Sequence, residues 1–219
     1  IKGSNRAVVV SVAQFDPGVS LGDRAGAQKD AKRLHGTLSR RGFEVELHSD
    51  LSGDEIYELP YRDCFLAVLS SHGEEDCVFG ADGKPVRLSR IFVILLMLSL
   101  QACRGDALDD GVEVDSAGDA TDCSFSLHLS VPVDTAVMYA TPPGYGAFMS
   151  PLGSVFLQTF CTLLEDEAHQ NLELTRLMTR LSHRVAYNFQ AKGRELGGKK
   201  EMPCFLTRLT REVFLSSDS

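Results

Sequence analysis

Tryptophan is missing from all 219 residues, and aromatic residues together reach only 8%. Aliphatic side chains must therefore supply most of the core. Neither a CxxC nor an HxxxH spacing occurs, so no structural zinc site is expected, and no metal is assigned. A GxGxxG fingerprint is also missing: "GYGAFMSPLGS" contains glycines, but not at phosphate-cradling spacing and with no following Lys-Ser/Thr. No cofactor is implied. The longest apolar run, "IFVILLMLSL" from Ile91 to Leu100, is about half the length that spans a bilayer as a helix. Positive charge is in short supply, with 22 Lys plus Arg against 30 Asp plus Glu and a net charge of -8. Such a chain repels phosphate polyanions, so neither nucleic acid nor an anionic membrane is expected as a partner. The opening "IKGSNRAVVV" has no apolar core of signal-peptide length and no initiator Met, which leads us to expect a fragment or processed form.

Six cysteines are present, at positions 64, 77, 103, 123, 161 and 204, without the tight spacing of a disulfide framework. Reduced thiols and a cytoplasmic location are the expectation. The chain is long enough for one sizeable domain, and its 43% hydrophobic content marks it as globular.

Patterning gives the order of elements. "AVVVSVAQF" (Ala7 to Phe15) reads as a buried strand, and "DPGVSLGDRAG" as a loop. Ala27, Ala31, Leu34 and Leu38 recur at helical spacing up to Gly42. "FEVELH" alternates as a strand. Ser52 and Glu55 form a capping-box pattern for a helix that Pro60 stops after about two turns. "CFLAVLSSHG" is a buried strand running into a loop, and a Gly-Ala-Asp-Gly turn joins two short strands between Val78 and Leu88. Ile91 to Ile94 reads as a helix stump, and Leu95 onward as a strand. Residues 105–130 lack periodicity. Thr135 to Thr141 is again a strand, two amphipathic helices follow, and "MPCFLTRLTREVFL" is a final strand pattern. Strands alternating with helices indicate an α/β fold with a central, mostly parallel sheet flanked by helices.

Two of the strands end in residues with chemistry. One ends at "SSHG", presenting His72 and Gly73; the other ends at "QACRG", presenting Cys103. Reactive groups of open α/β sheets lie beyond the carboxyl ends of strands. If these two strands are parallel neighbours, the imidazole can take the thiol proton or protonate a leaving amine. The backbone N–H groups of Gly73 and Cys103 would then make an oxyanion hole.

"QACRG" matches the signature of the caspase family of cysteine proteases, and the chain resembles that family from about Ala7 to Phe214. "SSHGEED" resembles its histidine loop, "DRAGAQKDAKRL" its first-helix entry, "VPVDTAVMYATPPGY" the start of its small subunit and "MPCFLTRLTREVF" its last strand. The resemblance implies a cysteine endopeptidase cutting after Asp, with Cys103 as nucleophile and His72 as acid/base. Arg24 and Gln101 match two of the three side chains that hold the substrate Asp. It further implies a large-subunit region at 1–115, a linker at 116–130 and a small-subunit region at 131–219. Processing would fall at Asp115 in "GVEVDSAGDATD", with Asp119 and Asp122 as alternatives. The partners implied are protein or peptide substrates with Asp at the cleavage site. A homodimer or a heterodimer with related caspases is also implied, joined through Pro203 to Leu209.

The chain departs from the pattern in three places. Met149 stands where the second Asp-binding Arg is expected, and a thioether cannot donate a hydrogen bond. Losing one partner of a desolvated carboxylate costs about 2–5 kcal/mol, or roughly 30-fold to several thousand-fold in rate. Gly146 sits where a bulky residue is usual. Only 31 positions separate His72 from Cys103, against about 50 in the family. Two helices are therefore expected to be shortened, leaving one apolar sheet face poorly covered. Met149 and the shortened helices raise an alternative, a non-catalytic or weakly active homologue that regulates active relatives by dimerising with them. The histidines at 35, 48, 169 and 183 are expected at the surface.

Overall fold

The computed structural model describes residues 5–61, 64–74, 76–91, 97–105, 107–108, 131–194 and 196–215. Asp115, Asp119 and Asp122 lie outside them. The main sheet has six strands: β1 (Arg6–Ser11), β2 (Glu44–Ser49), β3 (Leu66–Ser70), β7 (Met97–Gln101), β8 (Ala136–Tyr139) and β11 (Cys204–Thr207), in the order β11-β8-β7-β3-β1-β2. All pairs are parallel except β8 with β11. The sheet is flanked by helices on the side of α1 (Ala27–Arg40), α4 (Val155–Glu165) and α5 (Leu174–Asn188), as an α/β fold requires.

Covering both faces explains the strand sequences. A strand buried on both sides reads as a continuous apolar run, as "AVVV" and "LAVL" do. Successive side chains point to opposite faces. Ala7, Val9, Val68 and Met138 pack with Leu34 and Leu38 of α1, Phe156 and Phe160 of α4, and Leu177 and Leu181 of α5. Val8, Val10, Leu69, Leu100 and Val137 belong to a second core. That core includes Ile56 of α2 (Gly53–Glu58), Leu88 and Ile91 of α3 (Leu88–Ile91), and Val78 and Val86 of a small antiparallel sheet. The strands of the small sheet are β4 (Gly73–Glu74), β5 (Cys77–Phe79) and β6 (Pro85–Arg87).

The second core corrects the expectation of a bare sheet face. α2 and α3 are indeed short, at six and four residues. Yet the buried sheet residues of this core are at most 3% exposed, because the hairpin of β5 and β6 and the buried Tyr61 complete the layer. The strands are shorter than the patterns suggest: β1 stops at Ser11 rather than Phe15, and β11 holds four residues.

Helix ends follow local chemistry. α1 closes through Gly42 at φ 85°, with Phe43 N–H donating to the Leu38 carbonyl and Gly42 N–H to that of Ser39. This is a Schellman close in which glycine takes the left-handed position. The Ser52 hydroxyl accepts from Glu55 N–H, and the Glu55 carboxylate accepts from Ser52 N–H at 2.8 Å, so the capping box is formed. Leu59 is extended ahead of Pro60, which ends α2.

Candidate active site

The site is laid out by the register of β3 and β7. Ser70 pairs with Gln101 at the carboxyl ends of the two parallel strands, and Ser71 N–H donates to the Gln101 carbonyl at 3.2 Å. His72 and Cys103 each lie two residues beyond that pair. Both line one cavity of about 280 Å³, together with Arg24, Gln101, Ala147 and Met149. Five predicted site residues, at 24, 72, 101, 103 and 149, thus meet at one cleft. Asp115 falls outside the described residues.

Gly73, the remaining predicted residue, lies in β4, directly against the chain that carries Cys103. A Cβ there would come within 2.7 Å of the Cys77 carbonyl oxygen, 2.8 Å of the Ala102 Cβ and 3.2 Å of the Cys103 carbonyl oxygen. Only a residue with no side chain allows this approach.

The His72 ring is oriented from behind. Its Nε2 lies 2.7 Å from the Gly22 carbonyl oxygen. A carbonyl can only accept, so this contact fixes the proton on Nε2 and leaves Nδ1 as the basic nitrogen of the neutral ring. The Phe15 ring lies 5.4 Å away. Burial is the main influence pushing the imidazole below its ordinary pKa; the Gly22 carbonyl opposes this and the nearby Arg24 cation adds to it. A neutral imidazole suits a group that must first accept a proton.

Arg24 is buried. Its Nη1 donates to the Val12 carbonyl at 2.6 Å and its Nη2 to the Ser70 hydroxyl at 3.0 Å. Burial pulls it down to about 10, so it is still a cation at neutral pH, with only neutral acceptors bonded to it. Gln101 is 2% exposed, and its Oε1 has no hydrogen-bond partner among the described residues. A buried cation facing the cavity can receive a carboxylate; of the Gln101 amide only the Nε2 donors could join it, because Oε1 is itself an acceptor. Met149, in β9 (Met149–Ser150), lines the same cavity and adds no charge.

The opposite wall is a loop fastened to its neighbours at several points. Arg104 N–H donates to the Tyr145 carbonyl, Gly144 N–H to that of Arg104 and Gly146 N–H to that of Ala107. Ala147 N–H then points at the Cys103 sulfur, 3.4 Å away. β9 pairs with β10 (Gly153–Ser154). Asp30, fully buried on α1, accepts from Ser154 N–H at 2.9 Å and from Gln158 Nε2 at 2.7 Å. Burial raises its pKa against the opposing pull of those bonds.

Glu201 is the residue the sequence did not reveal. It is 1% exposed and accepts Phe148 N–H at 2.6 Å, while its Oε1 has no partner among the described residues. Burial pushes the carboxyl up to about 8. It lies outside every helix and strand, so no periodicity marks it. Asp30 did carry a signal, because position 30 falls on the apolar stripe of Ala27, Ala31, Leu34 and Leu38. His169, expected at the surface, is 5% exposed beneath Arg180.

Residues 4–214 match the family model of the Caspase domain. The chain belongs to the caspase family. It is 31% identical to caspase-3 of Bos taurus over 231 residues, covering 94% of this chain and 82% of that one. It is 29% identical to caspase-7 of Gallus gallus over 241 residues, covering 97% and 77%. The fold is also that of the caspase-1 crystal structure from Spodoptera frugiperda, with a TM-score of 0.81 at 23% identity over 99% of this chain and 93% of that one.

Proposed function

We propose that this caspase-family chain is a cysteine endopeptidase that cuts after Asp, with a weakened hold on that residue. The observation that carries the reading is the meeting of Cys103, a ring-oriented His72 and the buried Arg24 cation at one cavity. His72 Nδ1 takes the proton of the Cys103 thiol. The sulfur attacks the peptide carbonyl, and the resulting oxyanion is held by the N–H groups of Gly73 and Cys103. The protonated imidazole gives its proton to the leaving amine, and water then hydrolyses the acyl-enzyme. Arg24 and Gln101 receive the substrate carboxylate. Met149 fills the remaining side of the pocket without a donor, so binding rests on one guanidinium instead of two.

Maturation by cleavage at Asp115, pairing of two copies through Pro203 to Leu209 and a cytoplasmic location complete the proposal. β11, an edge strand of the sheet, is available for such pairing. A second reading is a non-catalytic partner of active relatives. It is favoured by the neutral Met149 and by the Ala147 N–H resting on the nucleophile's sulfur.

An Asp-directed peptide fluoromethyl ketone and a general thiol alkylator separate the two. Mass spectrometry should find Cys103 modified by both reagents. Modification by the alkylator alone would leave the non-catalytic reading standing.

A further inference from the structure

α5 has no Asp or Glu in its 15 residues, although the chain as a whole carries a net charge of -8. Its inner face, including Leu174, Leu177, Leu181 and Val185, is buried in the core. Arg176, Arg180, His183 and Tyr187 follow one another at intervals of four, three and four, and all are exposed. That spacing keeps them on one stripe of the helix. Tyr187 is 75% exposed, and its ring stacks on His183 at a centroid distance of 4.7 Å.

Two depressions run alongside this stripe. One, of about 340 Å³, is lined by His169, Thr179, Arg180, His183 and Arg184. The other, of about 320 Å³, is lined by Gln158, Thr159, Thr162, Arg184 and Asn188. Arg184 lines both, so the two adjoin as a shallow groove along α5, with α4 contributing residues to the second alone. The arginines are braced from below: Arg180 donates to Nε2 of the buried His169, whose Nδ1 lies 3.1 Å from Asp166. Asp166 also lies 3.7 Å from Arg184. One carboxylate against two guanidiniums leaves the groove with surplus positive charge.

We propose that this groove docks an acidic, extended segment of a partner protein. Arg180 and Arg184 would take its carboxylates, for which a guanidinium fork is suited. Thr159 and Asn188 offer hydrogen bonds to its backbone, and Tyr187, beside the depressions, offers an aromatic anchor of the kind enriched at interaction hot spots. The amide and hydroxyl lining offers donors and acceptors suited to a polypeptide backbone. The surface lies outside the cleft of Cys103, and its occupation requires no proteolysis.

The test uses the full chain carrying Cys103→Ala and a fluorescein-labelled peptide of eight alternating Asp and Glu residues, followed by anisotropy at low salt. We expect saturable binding that weakens at least tenfold in Arg180→Glu/Arg184→Glu and weakens as salt rises. Arg87→Glu, on the exposed β6 strand, should leave affinity within twofold. Should the double variant fail a circular-dichroism melt, Arg176→Glu/His183→Glu decides instead, with at least a threefold loss expected. Equal affinity for the parent and the charge-reversed chains overturns the proposal. So does equal binding of an Asn/Gln peptide. A change in sedimentation showing that the groove variants dissociate a dimer would also overturn it, by identifying a second copy as the occupant.

Discussion

The two walls of the cleft are built by different means. On one side, β3 and β7 deliver His72 and Cys103 through main-chain register, and Arg24 is fastened to Val12 and Ser70. On the other side, the loop that ends at Met149 hangs on main-chain contacts with residues 104–107 and on the single bond from Phe148 to Glu201. The first wall draws on the cooperativity of a sheet, so no single side chain there sets its shape. The second depends on isolated contacts, one of which leaves a buried carboxylate half satisfied. Departure from the family pattern concentrates on the second wall, where Met149 lies. A wall fixed by register tolerates little substitution, whereas a hung loop can change its side chains and keep its path.

Substitutions can press on that contrast from either side. The largest effect is expected at Gly73→Ala, because the added methyl meets the Cys77 carbonyl and the Ala102 side chain. Turnover of an Asp-peptide substrate should fall by two orders of magnitude or more, with a lowered melting temperature. Arg24→Ala should come next. It removes the cation proposed to receive the substrate carboxylate and strands the Ser70 hydroxyl and the Val12 carbonyl, at about 1–3 kcal/mol for each buried group left unpaired. A urea titration and steady-state kinetics check both parts. On the loop wall, Met149→Arg should raise kcat/KM for Asp peptides at least tenfold with little change in folding; no increase would mean that the pocket is not built around two guanidiniums.

Glu201→Gln should have the smallest effect on turnover, and an effect on stability that depends on pH. The folded carboxyl titrates at about 8, above its ordinary value of 4.5. The folded state therefore holds its proton after the unfolded chain has released it. Stability from this group is full below about pH 4.5 and is lost as pH rises toward 8, with a slope of about 1.4 kcal/mol per pH unit. Replacement by Gln should remove that slope, so the two chains' urea midpoints converge or diverge as pH changes. Parallel curves would mean that the carboxyl is ionised throughout.

Much of this was legible in the sequence, for identifiable reasons. Ala27, Ala31, Leu34 and Leu38 gave α1 because one buried stripe requires that spacing, and Ser52 with Glu55 gave the start of α2 because its cap is local. Strand-end chemistry pointed to His72 and Cys103, and the family resemblance alone to Arg24 and Gln101; all four line one cavity. The coverage of the second sheet face was not. It comes from Val78, Val86 and Tyr61, which only chain folding brings over the strands. Glu201 and His169 were missed for a related reason: each is buried by residues distant in sequence, and neither interrupts a pattern.

Placing Cys103 and His72 two steps past a single paired position makes their meeting indifferent to how much chain lies between them. Outside the β5–β6 hairpin and α3, which the second core needs, chain can be added or deleted between the two strands without changing which atoms meet, provided β7 re-enters in phase. A slip of one residue inside either strand, by contrast, would turn the thiol or the imidazole to the opposite side of the sheet. In this chain, loop length is therefore the tolerant quantity and strand phase the exacting one.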